Sequence, residues 1–209
     1  MALTDVNLFR IDGTVGFIPS ADIDVIKNSA SASNNIVLNP DGTTTLTPSN
    51  IIKSGTAVAS TSGTSIDFTG IPSWVKRITV MFSGVSLSSN AALLVQIGSG
   101  SVTSSGYLSS SSYVSHQFTN TTSGTNNTSG YVVLANNASS VVDGMLIIAL
   151  QTGNTYVSSH VAATRAAGLG AIVFGAGTVS LSGALDRVRV TSTSTDTFDA
   201  GTINILYEG

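Results

Sequence analysis

The 209-residue sequence contains no cysteine, a single tryptophan, two histidines and few charged side chains. Without cysteine, the chain can form neither a disulfide framework nor a thiolate metal site. Charged residues make up 9% of the chain, against roughly 25% in an average soluble domain. Only eight residues are basic. Because binding to a phosphate backbone needs a basic stripe, we expect no nucleic-acid partner.

Signals for export and membrane insertion are also missing. Residues 1–10 lack the basic start and apolar centre of a signal peptide. The longest purely apolar run, residues 145–150, is far too short to span a bilayer. We therefore expect a soluble protein made in a cytoplasm, with no membrane insertion.

Serine and threonine dominate the composition, with 33 and 26 residues, while 42% of the chain is hydrophobic. This hydrophobic content is too high for a disordered chain, so a core can be buried. Its surface must then be covered by hydroxyl and amide groups rather than by charge. Such surfaces are common in extracellular, viral and bacterial surface proteins.

Alternation of apolar and polar residues predicts an all-β chain. The clearest case is residues 75–83, where Ile78, Val80 and Phe82 share one face. Residues 186–190 and 202–207 alternate in the same way. Further candidate strands are residues 92–97, 131–134, 144–151, 156–163, 171–174 and 178–181. Many short strands favour an antiparallel β-sandwich or jelly-roll-like domain.

The first fifty residues have a different pattern, with short strands and strong turn signals. Asp12-Gly13 is one such signal, and the sequence NPDG at residues 39–42 predicts a hairpin. We place a boundary near residue 50, between a hairpin-rich attachment segment (residues 1–50) and the sandwich (residues 51–209). The alternative is that the N-terminal strands belong to the main sandwich.

Two stretches, residues 99–112 and 118–130, are rich in Ser, Thr, Asn and Gly and are predicted to be loops. Loops on a rigid scaffold often bind ligands. The aromatic residues in or beside them are therefore candidate receptor-facing groups, suited to a carbohydrate: Tyr107, Tyr113, His116 and Tyr131. The alternative is that these rings pack against the bases of the loops.

Catalytic chemistry is poorly supported. No G-x-S-x-G elbow occurs, and only His116 and His160 could act as a base for a serine nucleophile. For glycoside cleavage the candidate acid pairs are Asp196 with Asp199 and Asp22 with Asp24. Most aspartates lie beside Gly or Thr and resemble turn and cap residues. We expect no enzymatic activity.

Metal and cofactor motifs are equally scarce. The histidines are far apart in sequence, and no calcium-loop or dinucleotide-binding pattern occurs. We expect no cofactor and assign no metal-binding residue, although calcium on a trimer axis stays open. The glycosylation-type sequons at Asn120, Asn126, Asn127 and Asn137 arise readily by chance in a chain so rich in Ser and Thr.

Two blocks of sequence resemble a module of fibre-like virion proteins from tailed bacteriophages and prophages. The first block is residues 63–86, GTSIDFTGIPSWVKRITVMFSGVS. The second block joins residues 181–190, LSGALDRVRV, to residues 198–208, FDAGTINILYE. Together they bracket roughly residues 53–209. The region between them carries no pattern that can be transferred.

The resemblance implies a virion structural protein, usually homotrimeric, displayed on a tail or capsid and without a catalytic motif. The leading hypothesis is a fibre-type protein. Residues 1–50 would attach to other virion proteins, and residues 51–209 would bind a host-surface glycan or protein. A capsid decoration or head-fibre protein is the alternative, and a glycan-hydrolysing tailspike is a remote one. The chain would be made in the host bacterial cytoplasm and would work at the virion surface.

Two further features bear on assembly. Apolar residues such as Leu93, Ile147 and Val173 exceed what a small sandwich needs inside, so some are expected between subunits. Charged residues are concentrated in the two blocks and suggest partnered charges between strands or subunits: Asp67, Lys76, Arg77, Asp186, Arg187, Arg189 and Asp199. Solvated charges on edge strands are the alternative.

Overall fold

A computed structural model of the chain describes residues 25–27, 34–38, 44–46, 52–115, 121–134, 138, 140–166 and 169–209. These residues form antiparallel strands, turns and bends, which confirms the all-β prediction. The part of the chain that is described contains no helix of the length and hydrophobicity that crossing a membrane requires. The chain divides into two compact units, Met1–Ser49 and Asn50–Gly209.

The N-terminal unit contains a three-stranded antiparallel sheet with the order β1-β2-β3. Its strands are β1 (Val25–Lys27), β2 (Asn34–Leu38) and β3 (Thr44–Leu46). The pairing of β2 with β3 confirms the predicted hairpin, with Leu38 opposite Thr44. The NPDG turn, like the Asp12-Gly13 turn, lies outside the described residues.

The second unit contains strands β4 to β17. They are β4 (Ile52–Ser54), β5 (Val58–Ala59), β6 (Ser65–Thr69), β7 (Arg77–Leu87), β8 (Leu93–Ser99), β9 (Ser101–Val102), β10 (Leu108–Ser115), β11 (Thr121–Asn127), β12 (Tyr131–Val133), β13 (Val141–Thr152), β14 (Thr155–Ala166), β15 (Leu169–Ser180), β16 (Arg187–Ser192) and β17 (Phe198–Glu208).

These strands form two antiparallel sheets. The nine-stranded sheet has the order β11-β10-β15-β14-β13-β7-β17-β4, with β5 also paired to β17. The five-stranded sheet has the order β12-β8-β16-β6, with β9 paired to β8. Buried residues of both sheets form one hydrophobic core, including Phe68 and Val95 from the smaller sheet and Val80, Leu146 and Ile203 from the larger. This is the layering of a β-sandwich.

Alternation along β7 agrees with the prediction, because Ile78, Val80 and Phe82 are buried in the core. Two other predictions need correction. Residues 171–174 and 178–180 are parts of one strand, β15, rather than two, and Leu181 lies just after its end. Much of the two predicted loops forms β10 and β11, which pair with each other, while β10 also pairs with β15.

Ladder pairing explains why the hydroxyl-rich segments become strands. Residues 109–112 of β10 are four consecutive serines, so hydrophobicity in this segment has no period that would mark its two faces. Its backbone is instead ordered by hydrogen-bonded neighbours on both sides. Gly124 lies opposite Ser112, and a Cβ at Gly124 would crowd the Ser112 hydroxyl. Compact side chains thus allow this pairing.

The two blocks that resemble fibre-like proteins meet in the folded chain. In the smaller sheet β6 of the first block pairs with β16 of the second, and in the larger sheet β7 pairs with β17. The register of the β7–β17 pair shifts near Gly201. Gly84 and Gly201 both have positive φ there, and a Cβ on Gly201 would strike the Gly84 backbone. The blocks therefore form one continuous two-layer frame.

Candidate functional site

Tyr107 and Tyr131, two of the candidate receptor-facing aromatics, lie in the core with 0% and 1% of their surface exposed. Their rings meet edge to face, with centroids 5.0 Å apart. The Tyr107 hydroxyl accepts a hydrogen bond from the Ile97 N–H at 2.8 Å and donates one to the Ile97 carbonyl at 3.2 Å. Burial raises the pKa of Tyr107 to about 12. These two rings are thus unavailable to a receptor.

The other candidate aromatics do not extend this pair into a surface site. The Tyr131 hydroxyl donates to the Tyr156 carbonyl at 3.2 Å, and burial raises the Tyr131 pKa. Tyr113 is half-buried against the core, and His116 lies outside the described residues. The alternative prediction, that rings pack the bases of the loops, describes Tyr107 and Tyr131. Tyr107, within the first hydroxyl-rich stretch, and Tyr131, just after the second, thus fill the core beneath these stretches.

The carboxylates of the candidate acid pairs that the structure describes accept hydrogen bonds from backbone N–H and hydroxyl groups. Asp196 accepts a hydrogen bond from the Ala91 N–H at 3.0 Å, and Asp199 accepts one from the Ser86 hydroxyl. Asp22 and Asp24 lie outside the described residues. Asp196 therefore satisfies a backbone N–H from a loop, as a cap residue does, whereas Asp199 lies within β17 and bonds to a side chain on β7. Among the described residues, no group of three or more His, Cys, Asp or Glu side chains could hold a metal ion.

His160 and Ser111 form a buried polar pair, with the Ser111 Oγ 3.1 Å from His160 Nε2. The Leu134 N–H donates to the same Ser111 oxygen at 3.3 Å. The serine hydroxyl can then donate to Nε2 of a neutral imidazole. Burial lowers the pKa of His160 to about 4, so the ring is neutral near pH 7. Because only 1% of Ser111 is exposed, it cannot reach a substrate, and the pair is structural.

Ion pairs form between neighbouring strands of the two sequence blocks that resemble fibre-like proteins. Arg189 on β16 contacts Asp67 on β6 through two hydrogen bonds, both 2.7 Å long. Arg77 on β7 pairs with Glu208 on β17. These contacts confirm partnered charges between strands for Asp67, Arg77 and Arg189. The adjacent Arg187 guanidinium holds the pKa of the Asp186 carboxyl below its ordinary value.

The outer face of the nine-stranded sheet carries a group of exposed apolar side chains, none of which the sequence analysis singled out. Met145, Val161 and Phe174 are 49%, 61% and 45% exposed and lie side by side on β13, β14 and β15. Other exposed apolar residues on these strands and on β10 are Leu108, Val114, Val157 and Ile172. We call these seven residues the apolar face. Its signal in the sequence is a strand with apolar residues on both faces, as in residues 145–150.

The apolar face lies in a region that is almost free of charge. Between residues 87 and 180, Asp143 and Arg165 are the only charged residues. They pair with each other across β13 and β14, and Arg165 lowers the pKa of Asp143. Asp143 also accepts a hydrogen bond from the Gly84 N–H at 2.8 Å. This region therefore offers apolar contact and neutral hydrogen-bonding groups rather than net charge.

Comparisons of the chain with protein-family models, with curated proteins and with solved structures find no match.

Proposed function

We propose that the chain is a structural protein of a bacteriophage virion, of fibre type and without enzymatic activity. The N-terminal unit anchors it to other virion proteins, and the two-sheet unit is displayed for contact with the host surface. The displayed unit works as a homotrimer.

The pairing of the two blocks carries this proposal. They are separated by about a hundred residues in the sequence, yet β6 pairs with β16 and β7 pairs with β17. The residues that resemble fibre-like virion proteins thus form one structural frame spanning both sheets, rather than two unrelated likenesses. A resemblance carried by contacting strands supports a shared module better than scattered similarity does.

The region between the blocks supports a display role. It supplies β8 to β15, including the hydroxyl-rich β10–β11 hairpin at one edge of the nine-stranded sheet. Serine, threonine and asparagine side chains on this hairpin offer many neutral hydrogen-bonding groups. Such groups suit contact with a neutral glycan or with polar backbone on a host surface protein.

The chemistry of the described residues supports a non-enzymatic role. His160 and Ser111 are buried, and Asp196 and Asp199 hold backbone or hydroxyl groups. The carboxylates of Asp67 and Asp143 form ion pairs with Arg189 and Arg165. A glycan-hydrolysing tailspike would need an accessible acid and base flanking the scissile bond.

The test is to locate the chain in intact virions by cryo-electron microscopy, using a phage that encodes it. A virion lacking this gene is the matched control, because density present only in the intact virion identifies the chain. We expect trimeric density at the tail, with the N-terminal unit against the virion. Trimeric density at capsid symmetry axes would instead favour the capsid decoration or head-fibre alternative. Virions without the chain would refute both.

A further inference from the structure

We propose that the outer face of β10, β11 and β15 holds a binding site for a neutral oligosaccharide. This inference deepens the proposed function and rests on it, because display toward a host requires a surface that recognises a ligand. The site is a shallow basin of short side chains beside an exposed aromatic ring.

Cross-strand pairing places an aromatic ring beside a row of very short side chains. Ser112 on β10 lies opposite Phe174 of β15 and, on its other side, opposite Gly124 of β11. Phe174 is 45% exposed, whereas the adjacent Val173, which was expected between subunits, faces the core. No large side chain therefore lies in this row between the Phe174 ring and the edge strand β11.

The next row is equally low and ends in an amide. Ser110 lies opposite Ala176 on one side and opposite Asn126 on the other, and all three residues are exposed. Leu108, two residues before Ser110 and therefore on the same face, is 70% exposed. The basin thus has serine hydroxyls on its floor, the Phe174 ring and the Leu108 side chain beside it, and an amide on its outer side.

Two adjoining hollows occupy this surface. One has a volume of about 330 Å³ and is lined by Phe174 and Ser110 among others. The other, about 380 Å³, is lined by Leu108, Asn126 and Ser110 among others, and Ala176 lines both. Each volume falls within the range of about 300–1,000 Å³ that is usual for ligand sites. Four residues of a strand extend about 14 Å, so the two hollows side by side fit a short chain of sugar rings.

A saccharide matches this combination of groups. The faces of a sugar ring carry C–H groups, which pack against an aromatic ring such as Phe174, and its edge carries hydroxyl groups. The side chains of Ser110, Ser112 and Asn126 both donate and accept hydrogen bonds, as a hydroxyl-bearing ligand requires. A purely apolar partner would cover these polar groups without pairing them, which costs free energy. The basin therefore favours an amphipathic, hydroxyl-rich ligand.

The distribution of charge favours a neutral saccharide over an acidic one. Between residues 87 and 180, which include β10, β11 and β15, Asp143 and Arg165 are the only charged residues. They lie on β13 and β14, neither of which is next to β10 or β11 in the sheet, and they pair with each other. None of the three strands of the basin thus supplies a cation for a sugar carboxylate or sulfate.

The test applies the full-length chain to an array of immobilised oligosaccharides. The array holds neutral chains of hexoses and N-acetylhexosamines, and acidic chains that contain uronic or sialic acids. The affinity for the most strongly bound oligosaccharide is then measured by calorimetry. We expect this oligosaccharide to be neutral, and Phe174→Ala to weaken its binding at least about tenfold, because the packing on the ring is lost.

Two matched variants show whether the ring itself is recognised. Phe174→Tyr keeps an aromatic face and should bind within about threefold of the wild type. Val157→Ala truncates an apolar side chain on β14 that is 39% exposed and lies outside both hollows. This control should leave the affinity unchanged.

A further variant tests the basin without touching the ring. Ala176→Ile fills the floor that the two hollows share and adds a β-branched side chain that favours a strand, so the sheet should form. It should weaken binding at least about tenfold, because the ligand loses its space. Thermal unfolding of every variant is measured alongside, so that a lost affinity is not mistaken for a lost fold. Binding of no neutral oligosaccharide at millimolar concentration, preference for the acidic ones, or equal binding by all variants would overturn the inference.

The outcomes separate this inference from the proposed function. A chain that is present in virions but binds no oligosaccharide would overturn only the saccharide site and would leave a host protein as the ligand. A chain that binds a neutral oligosaccharide through Phe174 but is absent from virions would overturn only the proposed function.

Discussion

Lowering the pH should destabilise the folded chain through His160. The imidazole is buried and neutral, with its pKa lowered from 6.5 to about 4 by burial. In the unfolded chain the same ring is protonated below its ordinary pKa. Between these two values the unfolded state binds more protons than the folded state. The stability associated with the neutral ring is therefore complete above pH 6.5 and is lost as the pH falls toward about 4.

The size of this effect follows from the difference between the two pKa values. A pKa difference of about 2.5 units corresponds to a loss of about 3 kcal/mol in the free energy of unfolding once the pH lies below both pKa values. Between about pH 7.5 and about pH 4.5 the expected loss in the free energy of unfolding is about 2–3 kcal/mol. Since His160 is only 6% exposed, solvent screening reduces this value little.

The assay is urea unfolding at the two pH values, followed by the fluorescence of Trp74, the only tryptophan. Trp74 packs against the core and lies near Tyr207, with ring centroids 6.0 Å apart. The protein concentration is held fixed, because association also contributes to stability. The variant His160→Gln keeps a hydrogen-bond acceptor for Ser111 but cannot titrate in this range.

The comparison uses the change of stability with pH rather than its absolute value. Carboxylates titrate in both proteins, so their contribution cancels in the difference. We expect the free energy of unfolding of the wild type to fall by about 2–3 kcal/mol more than that of His160→Gln between the two pH values. Equal losses in both proteins would refute the argument that a buried neutral His160 sets this dependence.

Three further outcomes are expected from the core and the strand pairs. Gly175→Ala should lower the free energy of unfolding by about 1–3 kcal/mol, because the new Cβ would strike the His160 ring and the Ser110 carbonyl. The control Gly153→Ala, at φ 55° in open space, should lower it by only about 1 kcal/mol. Equal losses of stability in thermal unfolding would contradict the steric argument. Tyr107→Phe should lower the free energy of unfolding by about 1–3 kcal/mol, because it leaves the buried Ile97 N–H unpaired. A loss below about 0.5 kcal/mol in urea unfolding would be inconsistent with that hydrogen bond. A double-mutant cycle on Asp67 and Arg189, whose side chains are 38% and 36% exposed, should give a coupling of at most about 1 kcal/mol, and a larger value would show that solvent screens the pair less than expected.

Prediction from the sequence succeeded where the information is local. The burial of Ile78, Val80 and Phe82 follows from a period of two, which any strand with one buried face must show. The β2–β3 hairpin follows from the turn chemistry of the NPDG segment. The prediction of loops at β10 and β11 was partly wrong because local information is missing there. Serine on both faces leaves no period, so only pairing with β15 shows that these residues form strands.

The candidate site shows the same division. The sequence indicated Tyr107 and Tyr131 as notable residues but could not say which way their rings face. Their burial depends on strands distant in the sequence, since the Tyr107 hydroxyl bonds to Ile97 on β8 and the Tyr131 hydroxyl bonds to the Tyr156 carbonyl on β14. The apolar face was likewise hidden, because a strand with apolar residues on both sides can be covered on both sides or on one.

The amino-acid sequence by itself determined the all-β class, the absence of thiolate chemistry, the low charge and the strands with clear alternation, since each depends on composition or on neighbouring residues. Tertiary structure decided which strands pair, which aromatic rings are buried and which face remains open. Those properties depend on residues far apart in the chain. The β7–β17 and β6–β16 pairs, for example, join opposite ends of the second unit. Such contacts are fixed by the register of whole sheets and by the packing of one sheet on the other, which no local pattern encodes.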